Sequence, residues 1–203
     1  MKYLLSLTLI FGAFTMHSAV GQSTSYTIAD GSQIIVEGTS TVHDWTAEVK
    51  EIESNVEFDS GENEFSISDA SIVFKVEDME SGKRRMNRLM HSALDEGDHP
   101  IITFRLNPNE TSTNVSSEGI AVTAAGTVNI AGVEQDIMVD LEGQLLPNNE
   151  VRFSGSKELT MSDFEVDPPT AMLGTIRTAD DIIVHFDLLY APTDDNALSR
   201  FGM

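Results

Sequence analysis

The sequence contains no cysteine, and this absence excludes several classes of protein. A chain without thiols cannot form disulfide bonds, a thiolate zinc site, an iron–sulfur cluster or a cysteine nucleophile. Its 203 residues, of which 40% are apolar, suffice for one domain with a hydrophobic core. We therefore expect a domain that is stabilised by core packing alone.

Positive charge is scarce, with 12 Lys and Arg residues against 33 Asp and Glu residues and a formal net charge of -21. Such a surface repels polyphosphates, so nucleic acid is not an expected partner. Four of the positive charges nevertheless fall within six positions, at Lys83, Arg84, Arg85 and Arg88. This cluster would attract an anionic or polar head group. A solvated helix face paired with neighbouring carboxylates is the alternative.

The chain has one long apolar stretch, and it lies at the N-terminus. Lys2 precedes a mostly apolar segment at residues 3–14, and small residues follow at 19–21. This arrangement predicts a signal peptide over residues 1–21 that is removed to leave Gln22 first. A membrane anchor is the alternative, but the segment is shorter than the ~20 residues that span a bilayer. We therefore predict a periplasmic or secreted protein with no stable membrane insertion after cleavage.

Recognisable catalytic and metal-binding motifs are also missing. There is no Gly-x-Ser-x-Gly nucleophile elbow, Walker loop or dinucleotide fingerprint. His43, His91, His99 and His185 are too far apart in sequence for a metal-binding motif. Carboxylates are so abundant that no pair stands out as a general acid and base. The sequence therefore predicts neither an enzyme nor a metal or cofactor site.

What the sequence does contain is alternation of apolar and polar residues, which is typical of strands in antiparallel sheets. It predicts about eight strands, at residues 33–38, 48–58, 65–76, 102–106, 120–130, 137–141, 151–161 and 182–188. The alternation changes phase at residues 69–71, which indicates a bulge or a bend there. One helix is predicted over residues 82–94, where four apolar residues recur on one face: Met86, Leu89, Met90 and Leu94.

Long antiparallel strands joined by hairpins close most simply into a barrel, because closure removes both exposed sheet edges. The predicted fold class is all-β: an eight-stranded antiparallel up-and-down barrel with one short helix, spanning residues 22–190. A two-sheet sandwich is the alternative that alternation does not exclude. Residues 191–203 are polar and show no periodicity, so we predict a flexible C-terminal tail.

Four segments resemble the motifs of a known family. They are residues 38–45 (Gly-Thr-Ser-Thr-Val-His-Asp-Trp), the basic helix followed by 99–104 (His-Pro-Ile-Ile-Thr-Phe), 126–133 (Gly-Thr-Val-Asn-Ile-Ala-Gly-Val) and 159–164 (Leu-Thr-Met-Ser-Asp-Phe). Their order and spacing are similar to those of the YceI-like family. The resemblance covers nearly the whole chain after the predicted signal peptide.

The resemblance implies an extended, lipocalin-like barrel that holds an amphiphilic isoprenoid-type or fatty-acid-like chain, such as an isoprenoid lipid or an isoprenoid quinone. The expected lipid-binding residues are apolar positions on the strands and the helix: Phe65, Ile67, Phe74, Met86, Leu89, Met90, Phe104, Val128, Val139, Met161, Phe164 and Phe186. The head group is expected near Arg85, Arg88, His43 and Trp45. For each apolar position, packing in a ligand-free core is the alternative.

Two functions from different classes therefore remain open. The first is an exported lipid-binding protein that carries or stores its ligand, with the amphiphilic lipid as its partner. The second is a non-enzymatic interaction or stress-response module with a packed, ligand-free barrel. A barrel hydrolase or isomerase would need a buried polar constellation with a perturbed pKa. Self-association as a homodimer is an open alternative for either function.

Signal-peptide cleavage gives the first prediction. When the full chain is expressed in an exporting bacterial host, we expect the exported protein to begin at Gln22, because the small residues at 19–21 suit signal peptidase. N-terminal sequencing of the exported fraction measures this directly. Recovery of a chain that still begins at Met1, in the membrane fraction, would instead support an uncleaved anchor.

Overall fold

A computed structural model describes residues 22–60, 65–117, 119–147 and 149–193. The predicted signal peptide, and the part of the predicted tail at 194–203, lie outside the described residues. The described residues form one α-helix, α1 (Arg84–Ala93), and thirteen strands: β1 (Gln22–Ile28), β2 (Gln33–Ser40), β3 (Trp45–Val49), β4 (Glu53–Ser60), β5 (Phe65–Lys75), β6 (Met79–Glu80), β7 (Ile101–Leu106), β8 (Ser112–Ser116), β9 (Gly119–Ile130), β10 (Val133–Leu145), β11 (Val151–Thr160), β12 (Thr170–Ala171) and β13 (Ile176–Pro192).

Eight of these strands close into an antiparallel barrel. The hydrogen-bonded order is β1-β4-β5-β7-β9-β10-β11-β13, and β13 pairs with β1 to complete the ring. Neighbours in the ring follow one another along the chain, which is the up-and-down arrangement. The structure thus confirms the predicted barrel and excludes the two-sheet sandwich.

Three of the remaining strands, β2, β3 and β6, lengthen the barrel wall at one end. Both β1 and β2 run antiparallel to β13, so together they form one long strand that is interrupted at residues 29–32. In the same way β3 precedes β4 and β6 follows β5, and β2, β3 and β6 are hydrogen-bonded side by side. The wall is therefore taller on this side than a minimal barrel requires.

The predicted irregularity in β5 is a β-bulge. Glu57 of β4 lies opposite Asp69, whereas the next residue, Phe58, lies opposite Ile67. Ser68 is therefore the extra residue, one position before the segment in which the alternation changes phase. Because of the bulge, the apolar side chains before it and after it both point into the barrel.

The two ends of the barrel domain differ from the prediction. Strand β1 was not predicted, because Gln-Ser-Thr-Ser-Tyr-Thr-Ile contains only two large apolar residues. At the other end β13 continues to Pro192, and Ala191 and Pro192 pair with Thr27 and Tyr26. The first two residues of the predicted tail therefore belong to the strand that closes the barrel.

The helix lies in the connection between β6 and β7 and is fastened to β6 by two polar side chains. Asn87 Oδ1 accepts hydrogen bonds from the backbone N–H (2.9 Å) and the hydroxyl (2.6 Å) of Ser81. His91 Nε2 lies 2.9 Å from the carbonyl oxygen of Met79. These contacts orient the helix so that Met90 is buried against the barrel.

A cluster of four aromatic rings, which we call the aromatic plug, fills the other end of the barrel. It consists of Tyr26, Phe58, Phe153 and Tyr190, with ring centroids 5.0 to 6.2 Å apart along the series. All four side chains are buried. Tyr190 shares a 2.7 Å hydrogen bond with the hydroxyl of Ser54, which itself donates to the carbonyl of Ser71. The plug therefore closes this end with packed rings and a satisfied polar group.

Burial also affects the two phenols of the plug. It raises the pKa of Tyr26 and the pKa of Tyr190, and in Tyr190 the hydrogen bond with Ser54 opposes this increase. Both hydroxyls therefore stay protonated at neutral pH.

Truncation of the plug gives the second prediction. We expect Phe58→Ala to lower the free energy of unfolding by roughly 3–5 kcal/mol, because a fully buried ring is replaced by a cavity. Met138→Ala is the matched control, since this side chain is 59% exposed on the outer wall and its truncation is expected to cost less than about 0.5 kcal/mol. Urea unfolding measures both values. Equal losses in the two variants would show that the plug does not stabilise the barrel.

Candidate functional site

The other half of the barrel encloses a cavity of about 530 Å³. The cavity begins directly at the plug, because Leu188, the cross-strand partner of Phe153, lines it. Its far end is surrounded by α1, by the short 3-10 helix at Met161–Phe164 and by the segment that leads through β12 into β13. The volume lies within the ~300–1,000 Å³ that small-molecule sites commonly occupy.

The alternation of the strands makes the cavity wall apolar. On β13, Ile182, Val184, Phe186 and Leu188 line the cavity. The residues between them turn outward, where His185 contacts Glu37 and Asp187 pairs with Arg152. The sequence period of two therefore separates a dry inner face from a charged outer one.

The structure brings most of the sequence-predicted lipid-binding residues together around this cavity. Ten of them line it: Phe74, Met86, Leu89, Met90, Phe104, Val128, Val139, Met161, Phe164 and Phe186. Ile67 does not line it; its side chain is 6% exposed and belongs to the packed core. Phe65 begins β5, and its side chain lies outside the described residues.

The predicted head-group residues separate into two groups. His43, Trp45 and Arg85 line the cavity. Arg88 does not, because it lies on the outer half of α1, in a small surface depression with His91, Asp95 and Glu96. At 100° per residue, the cavity-lining residues Met86 and Met90 lie about 160° from Arg88 around the helix axis, and Leu89 lies about 100° from it.

The basic cluster on the helix is not neutralised by neighbouring acids. Within the described ranges, no carboxylate lies at salt-bridge distance from Lys83, Arg84, Arg85 or Arg88. The acidic side chains beside the helix contact histidines instead, as Glu96 does with His91 (3.4 Å). In the part of the chain that the structure describes, an anionic group would therefore displace no ion pair of these four cations.

Trp45 is positioned at the helix end of the cavity by a glycine. Its indole Nε1 donates a 3.3 Å hydrogen bond to the carbonyl of Thr39. The ring lies directly over Gly38, where an added Cβ would collide with it. The loop between β2 and β3 is held by Ser40, whose hydroxyl donates a hydrogen bond to the carbonyl of His43 (2.7 Å). Gly38 is thus required for the ring to lie against the wall.

Exposed apolar side chains surround this end of the barrel. Val42 is 63% exposed, Met172 is 58% exposed and Leu173 is fully exposed. Arg85 Nη1 lies 3.9 Å from the sulfur of Met172, so the basic helix and this apolar segment are adjacent. The rim of the cavity therefore combines positive charge with apolar surface.

Sequence reasoning missed several wall residues. Ile137, Leu141, Ile182, Val184 and Leu188 line the cavity and share the parity of the predicted Val139 and Phe186, so the alternation could have identified them. Met172 and Ile176 follow an aperiodic segment, and no signal in the sequence marks them. Lys157 also lines the cavity, although a lysine in a strand is ordinarily expected to face the solvent.

Two kinds of feature are absent from the described part of the chain. No group of three or more histidine, aspartate or glutamate side chains there could hold a metal ion. None of its helices is long and apolar enough to cross a membrane.

A closed, eight-stranded antiparallel barrel with an apolar cavity at one end is the architecture of lipocalin-like proteins. The sequence assigns the chain within this class: a family model described as the YceI-like domain matches residues 16–190. The protein belongs to the YceI-like family. A comparison with curated protein sequences gives no match.

Solved structures with the same fold come from several bacteria. BcnA of Burkholderia cenocepacia is 16% identical, with a TM-score of 0.63 over 78% of this chain and 95% of that one. A polyisoprenoid binding domain of Saccharophagus degradans, implicated in plant cell wall breakdown, is 14% identical, with a TM-score of 0.59 over 84% and 99%. The YCEI protein of Campylobacter jejuni is 18% identical, with a TM-score of 0.54 over 73% and 84%. At these identities the likeness shows the fold alone.

The contact between Gly38 and Trp45 gives the third prediction. We expect Gly38→Ala to displace the indole into solvent and to shift the fluorescence emission of the single tryptophan to the red, with a loss of roughly 1–3 kcal/mol in stability. Gly97→Ala is the control, because an added Cβ there meets no atom within 4 Å. An unchanged emission spectrum in Gly38→Ala would contradict the placement of the ring.

Proposed function

We propose that this protein binds an amphiphilic, isoprenoid-type or fatty-acid-like chain in its barrel and acts, after export, as a carrier or store for it. The observation that carries the proposal is the cavity of about 530 Å³ with an apolar wall, closed at one end by the aromatic plug. A lipid chain needs only such a dry compartment, and no catalytic group.

The energetics of burial support this function. Each buried methylene contributes about 0.8 kcal/mol, so ten of them give roughly 8 kcal/mol before the costs of ordering and association. Met86 and Met90 of the helix, together with Met161, offer flexible, polarisable contacts that adapt to an irregular chain. Arg85, His43 and Trp45 lie at the rim, where the head group meets them on entry.

Membership of the YceI-like family also supports it, since a polyisoprenoid binding domain shares this fold. Export is supported by the apolar N-terminal segment and the small residues that follow it at 19–21. The large acidic excess fits a carrier that must keep its apolar ligand in solution.

The alternative, an interaction module with a packed barrel, is disfavoured by the cavity itself. A barrel whose role is only structural gains stability when facing side chains fill its interior, as they do in the plug. Here the filling stops at Leu188, although Phe and Leu side chains are used freely elsewhere in the wall.

Native mass spectrometry of protein purified from the exporting host tests the proposal. We expect a population whose mass exceeds that of the polypeptide by one long-chain isoprenoid or fatty acid. If repeated preparations show the polypeptide mass alone, and no such chain binds at micromolar concentration, the proposed function is wrong.

A charge in the wall gives the fourth prediction. We expect Phe104→Asp to abolish lipid uptake, because an unpaired carboxylate in the apolar wall opposes burial of a hydrocarbon chain. Met138→Asp introduces the same charge on the outer surface and should leave uptake unchanged. If Phe104→Asp does not fold by circular dichroism, Leu159→Trp fills the cavity without a charge and should also reduce uptake. If Phe104→Asp and Leu159→Trp both fold and both take up lipid normally, the ligand binds outside this cavity.

A further inference from the structure

The charged side chains that line the cavity are positive, whereas the net charge of the whole protein is negative. Acidic residues outnumber basic ones nearly three to one in the chain, at 33 to 12. The described residues that line the cavity nevertheless include Lys83, Arg85 and Lys157, and no Asp or Glu is among them. The cavity wall and its helix end therefore form a positive site within a strongly negative protein, and this site favours a negatively charged guest.

Lys157 is the cation that enters the wall itself. Along β11 the buried Val151 and Phe153 alternate with exposed residues, and the half-buried Lys157 and Leu159 have the same parity as Val151 and Phe153. Lys157 pairs across the sheet with Val184, which also lines the cavity. The lysine thus occupies a position that the alternation otherwise gives to apolar residues.

Among the described residues, no acid on the neighbouring strands β10 and β13 lies at salt-bridge distance from Lys157. On β13, Asp187 pairs with Arg152 on the outer surface. On β10, Asp140 accepts a hydrogen bond from Thr123, also outside the barrel. Within the described segments, Lys157 has no ion pair, in contrast to Lys50 and Lys75, which pair with Glu48 and Glu77.

An unpaired ammonium beside an apolar wall is unfavourable unless a partner arrives. A bound anion supplies that partner, and its interaction with the ammonium gains strength as the cavity fills and water leaves. The same geometry gives a neutral head group no comparable advantage.

We propose that the ligand is an acidic amphiphile, with a carboxylate or phosphate head that pairs with Lys157 inside the barrel. This inference rests on the proposed function, because it specifies the head of the chain that the cavity binds. Lys83 and Arg85 line the same cavity at the helix end and attract the head as it enters. The apolar wall holds the chain.

Matched pairs of ligands and variants test this proposal by isothermal titration calorimetry on protein stripped of co-purified lipid. Dodecanoic acid is compared with dodecanol, and farnesyl phosphate with farnesol, so that the two arms distinguish a carboxylate from a phosphate head. The unaltered protein should bind the acidic member of at least one pair roughly ten- to a hundred-fold more tightly, as charge-assisted hydrogen bonds allow.

Substitutions of Lys157 test whether this residue causes the preference for the acidic ligand. Lys157→Met should lose the preference while its affinity for the neutral alcohol is unchanged or higher, and Lys157→Arg should keep it. Lys75→Met removes the same charge from the outer surface and should behave as the unaltered protein. We expect Lys157→Met to fold and to be at least as stable, since it removes an uncompensated charge.

The outcomes separate this inference from the proposed function. Equal binding of acid and alcohol in every variant overturns the inference and leaves lipid binding intact. A preference for the acid that survives in Lys157→Met overturns the role of Lys157. Binding of none of the four ligands contradicts both the inference and the proposed function.

Discussion

The pairing of β13 with the long strand formed by β1 and β2 is the contact on which the rest of the structure depends. Its β1 part comprises three residue pairs, from Tyr26 with Pro192 to Ile28 with Tyr190, and its β2 part comprises seven more. Without both parts the barrel would be an open sheet with two unsatisfied edges. It also brings Tyr26 and Tyr190 into the same cluster of rings, so closure of the sheet and packing of the plug support each other. A chain without disulfides is closed here by hydrogen bonds and burial.

Closure fixes which face of every strand is inside, and the packing of the inward side chains then divides the interior into two parts. At one end, four aromatic rings contact one another and form the plug. Towards the helix the inward positions carry smaller side chains such as Val36, Ala124 and Val184 beside larger ones such as Phe74 and Phe186, and together they line the cavity.

Much of the fold could be predicted from the sequence, because a period of two over long segments leaves few alternatives to a barrel. Strand β1 could not be predicted, since its polar sequence forms a strand only through its pairing with β4 and β13. The candidate site was harder to predict from the sequence than the fold. Alternation shows that both Ile67 and Phe186 face inward, but it does not give their height relative to the plug. Alternation places Lys157 on the inner face of the barrel, whereas the charge of its side chain predicts the outer face. The sequence therefore does not identify this residue as part of the cavity wall.

For the lipid ligand that we propose, the plug has a consequence for the kinetics of exchange. A barrel that is blocked at one end offers no through-passage, so a chain bound above the plug must leave by the end at which it entered. A second chain cannot push it out from behind, and exchange is dissociative: the off-rate is set by withdrawal of the resident chain and is independent of the concentration of its competitor. The residence time of the proposed ligand is then determined at the rim, where Arg85, Trp45 and the exposed Met172 and Leu173 lie.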